Sequence, residues 1–331
     1  MEEVLVLGIE STAHTVGVGI FSSEHGIIAN EKSVYKPVNG GIHPREAAEH
    51  HSKALPSVLK KALQTAGCQI KDIDAFAVAL GPGMGPCLRI GASVARALAL
   101  KYKKPLVPVN HAIAHIEIAR YSTGMNDPLV VYVAGGNTLI TTYVEGRYRI
   151  FGETLDISLG NCLDVFARET GLGFPGVPEV EKLYRKGGRL LDLPYIVKGQ
   201  DVSYSGLLTR ALELYKKGYP IEDVCYSLVE IAYSMLVEVA ERALVHTKKK
   251  EIVLTGGVAR SQILQEKLSI MAEIHNAKFS SVKPEYAGDN GAMIAYTGYL
   301  ALTSGITIPV GESFIKPLWR LEQVEALWRK C

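Results

Sequence analysis

A chain of 331 residues, 47% hydrophobic and 21% charged, has room for two domains with separate cores, and this composition excludes a disordered or fibrous protein. A formal net charge of +2 excludes a dedicated, strongly basic nucleic-acid binder, although it leaves room for a local basic patch or for help from partner subunits. The start, MEEVLVLGIEST, lacks the basic residues and cleavage site of a signal peptide, and no apolar run approaches the ~20 residues of a membrane helix, so a soluble cytoplasmic chain with no membrane attachment is expected.

Taken in order, Val4 to Glu10 is an apolar run entering the polar turn Glu10-Ser11-Thr12-Ala13-His14, and Val16 to Phe21 follows with interspersed glycines. This predicts strand, tight turn, strand. Ser11, Thr12 and Thr15 put hydroxyls and backbone N–H groups at the turn, which suits an anionic group or an ordinary hairpin. Asn39 to Leu63 begins as a Gly-Gly, proline-punctuated loop and becomes an amphipathic helix with Pro44 in its first turn and Glu46 and Glu49 near its start. Its His43, Arg45, His50, His51 and Lys53 form either a solvated face or a surface for a polyanion. Phe76 to Leu80 reads as a buried strand running into GPGMGPCLRIGASVARALAL, residues 81–100. Its first glycines set a turn, Gly91, Ala92, Ser93 and Ala95 let another backbone approach, and Arg89 and Arg96 follow one or two turns on. No GKS or GKT follows, so this is not a P-loop.

A short strand, Pro105 to Val109, then delivers VNHAIAHIEIARY, residues 109–121. His111 and His115 are four apart, about 40° around a helix, so both imidazoles can face one point. Such a pair is either satisfied by hydrogen bonds or holds a divalent metal with a third ligand from elsewhere. Pro128 to Gly146 repeats the opening theme of apolar strand, glycine-rich turn and returning strand, which suggests a duplicated architecture with a phosphate-holding turn in each copy. A third strand, Glu251 to Leu254, runs into Thr255-Gly256-Gly257-Val258-Ala259, where glycines let a ligand lie against the backbone. Asp164 lies on a predicted helix and Glu181 follows a Gly/Pro loop. Val224 to His246 is apolar at helical spacing, and Lys248 to Lys250 reads as a solvated loop. Asp289 precedes a clean apolar helix and is an N-cap by default, yet a carboxylate at a turn is also what a two-histidine site lacks. The end, GESFIKPLWRLEQVEALWRKC, reads as a last strand and helix. Five cysteines, Cys68, Cys87, Cys162, Cys225 and Cys331, lie far apart with no CxxC and read as reduced packing residues.

Two strand-turn-strand units with a later Gly-Gly turn resemble the actin, hexokinase and Hsp70 superfamily, the α/β ASKHA fold of two ribonuclease-H-like domains around a nucleotide cleft. The resemblance places the N-terminal domain at 1–127 with 306–331 packing back on it, and the C-terminal domain at 128–305. The motifs GIESTAHT, GGIHPREAAEHH, GPGMGPCLRIGASVARALAL, NHAIAH, YVAGGNT, GNCLDVFARE, TGGVA and GDNGAMIAYTG, in order from the first strand to about residue 300, narrow it further. They resemble the universal tRNA threonylcarbamoyladenosine synthase family, in the archaeal and eukaryotic branch of the KEOPS catalytic subunit. The resemblance implies transfer of a threonylcarbamoyl group from threonylcarbamoyl-adenylate to the exocyclic amine of adenosine 37 in tRNAs reading ANN codons. It implies one divalent metal, iron or zinc, on His111, His115 and Asp289, with Tyr132 as a further contact to the metal or its substrate. It also implies an adenine nucleotide on Val133, Ala134, Gly135, Gly136, Gly256 and Gly257, with Asp164 and Glu181 meeting ribose hydroxyls. Its implied partners are an atypical kinase or ATPase, a dimerising subunit and a further regulator.

Two positions depart from the family pattern. Val177 stands where PGGP has its second glycine, and Ser261 stands where GGVAAN has its asparagine. Three other readings follow from the same residues. HxxxH invites a metallopeptidase, but the general-base glutamate of HExxH is Ala112 here. A kinase of the same fold explains the phosphate turns and leaves the histidines idle. A non-catalytic nucleotide-binding scaffold would need neither metal nor turnover.

Overall fold

In the computed structural model, which describes residues 3–37 and 41–329, the opening apolar run forms β1 (Leu5–Glu10). The glycine-spaced run after the turn forms β2 (Thr15–Ser22), and β3 (Gly26–Val34) returns beside it. Asn39 and Gly40 of the expected Gly-Gly loop, like Cys331, lie outside the described residues. Helix α1 (Pro44–Ala66) starts on its proline, as a residue without an N–H suits a first turn. Then come β4 (Ala75–Gly81), α2 (Gly85–Tyr102), β5 (Leu106–Asn110) and α3 (His111–Thr123). The five strands pair in the order β3-β2-β1-β4-β5, with β1 antiparallel to β2 and parallel to β4.

The same plan recurs. Strands β6 (Leu129–Val133), β7 (Thr138–Val144) and β8 (Arg147–Glu153) are followed by α4 (Leu159–Glu169) and α5 (Gly176–Tyr184). A two-residue pair, β9 (Val197–Lys198) and β10 (Asp201–Val202), leads to α6 (Ser205–Lys216) and the long, largely buried α7 (Ile221–Thr247). Next come β11 (Glu251–Thr255), α8 (Gln262–Ile274), β12 (Lys278–Ser281), the single turn α9 (Pro284–Ala287) and α10 (Gly291–Thr303). The second sheet runs β12-β11-β6-β7-β8, again with a hairpin partner on one side of the first strand and parallel strands on the other. This is the duplicated α/β plan expected. Among the described residues no helix is long and apolar enough to cross a membrane.

The division of the chain differs from the expected 1–127 and 128–305. One unit takes the described residues of Met1–Ile118, Val144–Tyr148 and Asp289–Cys331; the other takes Ala119–Tyr143 and Arg149–Gly288. Helix α10 therefore belongs to the first unit, and the reason is steric. A Cβ on Gly8 would lie 2.1 Å from the Ala295 amide nitrogen, and one on Gly19 would lie 2.3 Å from that of Ala292. From the helix side, a Cβ on Gly291 would lie 2.1 Å from the Gly19 amide nitrogen. Backbone packs on backbone, and no side chain fits between them.

The last segment also departs from expectation. Among the described residues it holds 3₁₀ turns at Val310–Glu312 and Leu321–Gln323 in place of a strand and helix. Pro309 and Pro317 cannot donate to a ladder, and the chain is held by individual bonds. Lys316 N–H donates to Leu80 O at 2.7 Å, Arg96 donates to Ser313 Oγ at 2.8 Å, and Asn110 Nδ2 donates to Trp319 O at 3.0 Å. In the second unit the predicted lysine loop is partly drawn in, since Lys249 pairs with Asp127.

Candidate metal centre and nucleotide-binding loops

The centre begins with a cap. Asn110 ends β5, and its Oδ1 accepts from the amides of Ala112 and Ile113 at 3.0 and 3.2 Å, so α3 starts at His111. His115 follows one turn later on the same side, and the two rings lie 4.7 Å apart at an interplanar angle of 86°. Helix α10 brings the third group. Its N-cap is Asn290, whose side chain accepts from Met293 N–H at 2.9 Å, and this corrects the default assignment of that role to Asp289. Asp289 is released to face the histidines. Its Oδ1 lies 3.2 Å from His115 Nε2 and 3.6 Å from His111 Nε2. One ligand atom from each of the three residues falls within 4.8 Å of the others.

Glu10 sits behind His111. The fully buried carboxylate at the end of β1 takes His111 Nδ1–H on Oε2 at 2.9 Å and the amide and hydroxyl of Thr12 on Oε1 at 2.6 and 2.5 Å. This fixes the ring and its tautomer, with Nε2 turned toward Asp289, as carboxylate partners do for metal-binding histidines. The electrostatics follow the geometry. Burial opposes a charge on His111, but the Glu10 carboxylate with its hydrogen bond, and then Asp289, overrule it and push the imidazole up to about 9. Burial pushes His115 down, against the hydrogen bond that its ring donates to Asp289. Burial works to raise Asp289 as well, yet the two histidines hold it below the usual carboxylate range. Two imidazoles and a carboxylate with only 14% of its side chain exposed make a donor set for iron or zinc.

Reading the residues singly did not assign Glu10 to this group. The available signal was a lone acid closing an otherwise apolar strand, since a buried carboxylate needs partners.

In the second unit, Tyr132 is fully buried within β6, paired with Leu139 and Thr255. The turn after it is compact. Ala134 N–H donates to Asn137 O at 2.8 Å, and Ser158 at the start of α4 donates to Gly135 O at 2.5 Å. Gly256, at φ +95°, lies so close that a Cβ would stand 2.2 Å from Val133 O. By contrast, Gly135, Gly136 and Gly257 face open space. Val133 to Gly136 and the Gly256-Gly257 turn thus meet at the ends of adjacent strands β6 and β11. That crevice at strand carboxyl ends is where open α/β sheets hold ligands.

The two carboxylates expected to meet ribose are engaged internally. Asp164 Oδ1 accepts from Gly176 N–H at 2.7 Å, where α5 begins. Gly176 has no room for a Cβ, which would lie 2.7 Å from Asp164 Cα; Val177 is the next residue and is partly exposed. Glu181 Oε1 accepts from Tyr233 Oη at 2.6 Å and from Ser261 Oγ. Ser261 also caps α8, accepting from Leu264 N–H at 3.1 Å. Burial and the Glu181 carboxylate hold the Tyr233 hydroxyl well above its ordinary pKa, so it stays a donor. Tyr233 belongs to the apolar helix pattern of residues 224–246, where nothing local marks a buried hydroxyl.

The family model of tRNA N6-adenosine threonylcarbamoyltransferase (TsaD) matches residues 25–296. A relative of that name from Thermofilum pendens is 66% identical over 330 residues, covering 99% of this chain and 98% of that protein. Another from Sulfurisphaera tokodaii is 56% identical, covering 98% of each. Among solved structures, T.kodakarensis HypF matches with a TM-score of 0.62 at 15% identity, over 91% of this chain and 48% of that one. The activator of the 2-hydroxyisocaproyl-CoA dehydratase from Clostridium difficile, with bound ADPNP, matches at 0.55 and 12% identity over 91% and 97%. These two likenesses concern the fold.

Proposed function

The chain belongs to the TsaD family, tRNA N6-adenosine threonylcarbamoyltransferase, and from that premise we infer that it is a transferase that places a threonylcarbamoyl group on the N6 amine of an adenosine in tRNA. The donor is threonylcarbamoyl-adenylate and the acceptor is adenosine 37 of tRNAs reading ANN codons. The N6 nitrogen bonds to the carbamoyl carbon and loses a proton, the bond from that carbon to the phosphate oxygen breaks, and AMP leaves with the electron pair.

The observation that carries this reading is the convergence of His111, His115 and Asp289 with Glu10 behind them. These three residues would hold one iron or zinc ion. When bound, the metal supplies a Lewis acid for the carbamoyl oxygen or the phosphate. Glu10 keeps His111 Nδ1 protonated and so leaves Nε2 on the side of Asp289. In the second unit, backbone N–H groups of Gly135, Gly136 and Gly257 receive the adenylate, since the space beside these glycines is open. Tyr132 contributes from the strand below that turn. Asp164, Glu181 and Ser261 shape the nucleotide pocket through their bonds to Gly176 and Tyr233, and Val177 lines its edge.

The enzyme works in the cytoplasm with KEOPS-type partners, an atypical kinase or ATPase and a dimerising subunit, which supply tRNA affinity that a net charge of +2 does not. Elemental analysis of anaerobically purified protein followed by a transfer assay with adenylate and tRNA tests the reading. One iron or zinc per chain with transfer supports it; undiminished transfer by a metal-free Asp289→Ala variant overturns it.

A further inference from the structure

The segment bonded to the helix cap beside His111 exposes two large apolar side chains four residues apart. Phe314 is 70% exposed and Leu318 is 88% exposed, and Lys316 stands between them with its ammonium 4.8 Å from the Trp319 ring centroid. The backbone beneath them is tightly held. A Cβ on Gly81 would lie 1.9 Å from Lys316 O, Gly83 N–H donates to Pro317 O at 3.1 Å, and Trp319 O accepts from Asn110, the cap next to His111. Two exposed apolar side chains on a backbone held by these bonds can serve as a recognition surface when charges flank them.

The neighbours give that surface a charge. Gly85 of α2 lies against Pro317, and Arg96 of α2 binds Ser313. Helical geometry puts residues 85, 89 and 96 within about 40° of one another, so Arg89 lies on the face along which 313–317 runs, and it is exposed. The first turn of α1 meets the opposite face of α2, where Cys87 Sγ contacts Pro44 O at 3.6 Å, so the cations of this surface are Arg89 and Lys316. Acids are present too: Glu46 takes the Tyr35 hydroxyl, Glu322 pairs with Arg320, and Glu312 is exposed two residues before Phe314.

We propose that Phe314, Lys316 and Leu318, with Arg89, form the surface that receives the single-stranded anticodon loop of the substrate tRNA. The apolar side chains pack on unstacked bases beside the reacting adenosine, and the cations meet the flanking phosphates. Unstacked bases seek flat or apolar partners and their backbone seeks cations; this strip offers both, and its Trp319 carbonyl is bonded to Asn110, the residue before His111. The proposal rests on the tRNA reading above.

The test is steady-state threonylcarbamoyl transfer by the full chain with its partner subunits, at varied tRNA and varied salt. The variants are Phe314→Ala with Leu318→Ala, and Arg89→Gln with Lys316→Gln. Each pair is expected to raise KM for tRNA roughly tenfold, with kcat at saturating tRNA, KM for the adenylate and metal content unchanged. The cationic pair is also expected to flatten the logarithmic salt dependence of tRNA affinity by about one unit per lost phosphate contact. Wild-type KM for tRNA in both pairs, with transfer intact, overturns the proposal and leaves the activity standing; that result, joined to loss of a partner subunit, assigns the strip to a protein contact. No transfer by the wild-type enzyme overturns the activity itself. A melting temperature equal to the parent's separates either result from misfolding.

Discussion

The two candidate sites use their carboxylates in opposite ways. In the first unit, Glu10 and Asp289 point at histidines and present an arrangement with room for an ion. In the second unit, Asp164 and Glu181 accept bonds from Gly176, Tyr233 and Ser261 and so tie helices together. The difference teaches how each region would recognise its ligand. One relies on side chains that converge; the other relies on a backbone turn, with side chains holding that turn in place.

The largest effect expected from this contrast is at the ligands. His111→Ala should remove bound metal and reduce transfer below detection while leaving circular dichroism and the melting temperature close to the parent's; retained metal would dissolve the distinction between the regions. Glu10→Gln comes next. A second carboxyl partner of a metal-binding histidine is worth about 10–100-fold in affinity, so metal titration should weaken by that range with the number of sites unchanged. An unaltered titration would reduce Glu10 to a packing residue.

Smaller effects should come from the second unit and appear in stability. Ser261→Ala removes both the cap of α8 and a donor to Glu181, and a loss of about 1–2 kcal/mol in urea unfolding is expected, with metal content unaffected. The smallest is a pH effect at Asp156. Burial acts to raise its pKa, but bonds from the Ser203 and Ser205 hydroxyls and from the Tyr204 and Ser205 amides outweigh it and hold the carboxyl below the usual range. A folded-state pKa below the unfolded one stabilises at pH above the unfolded value and loses that contribution as pH falls through the folded one. Asp156→Asn should therefore flatten the loss of stability below about pH 4 relative to the parent, and identical acid limbs would contradict the assignment.

Much of this was legible from local pattern. The alternating strands and glycine turns announced a duplicated α/β plan, and four-residue spacing put His111 and His115 on one side of a helix whatever the remainder of the chain did. Resemblance to a family then tied Asp289 to them. What local pattern mis-stated was the cap, since Asp and Asn both cap helices well and adjacent positions cannot be ranked by propensity. The domain boundary also moved, because an apolar helix such as α10 can pack on either sheet, and hydropathy does not say which.

The sequence by itself determined the elements, the histidine pair and the turns, because these depend on periodicity and backbone chemistry within a few residues. Only the tertiary structure decided that Glu10, 101 positions from His111, stands behind the pair, and it alone shows how Asp289, 174 positions from His115, is delivered to it. The physical reason lies in absent side chains: Gly8 and Gly19 on the first sheet let α10 settle backbone to backbone, and that short approach sets where the residue before its cap ends up.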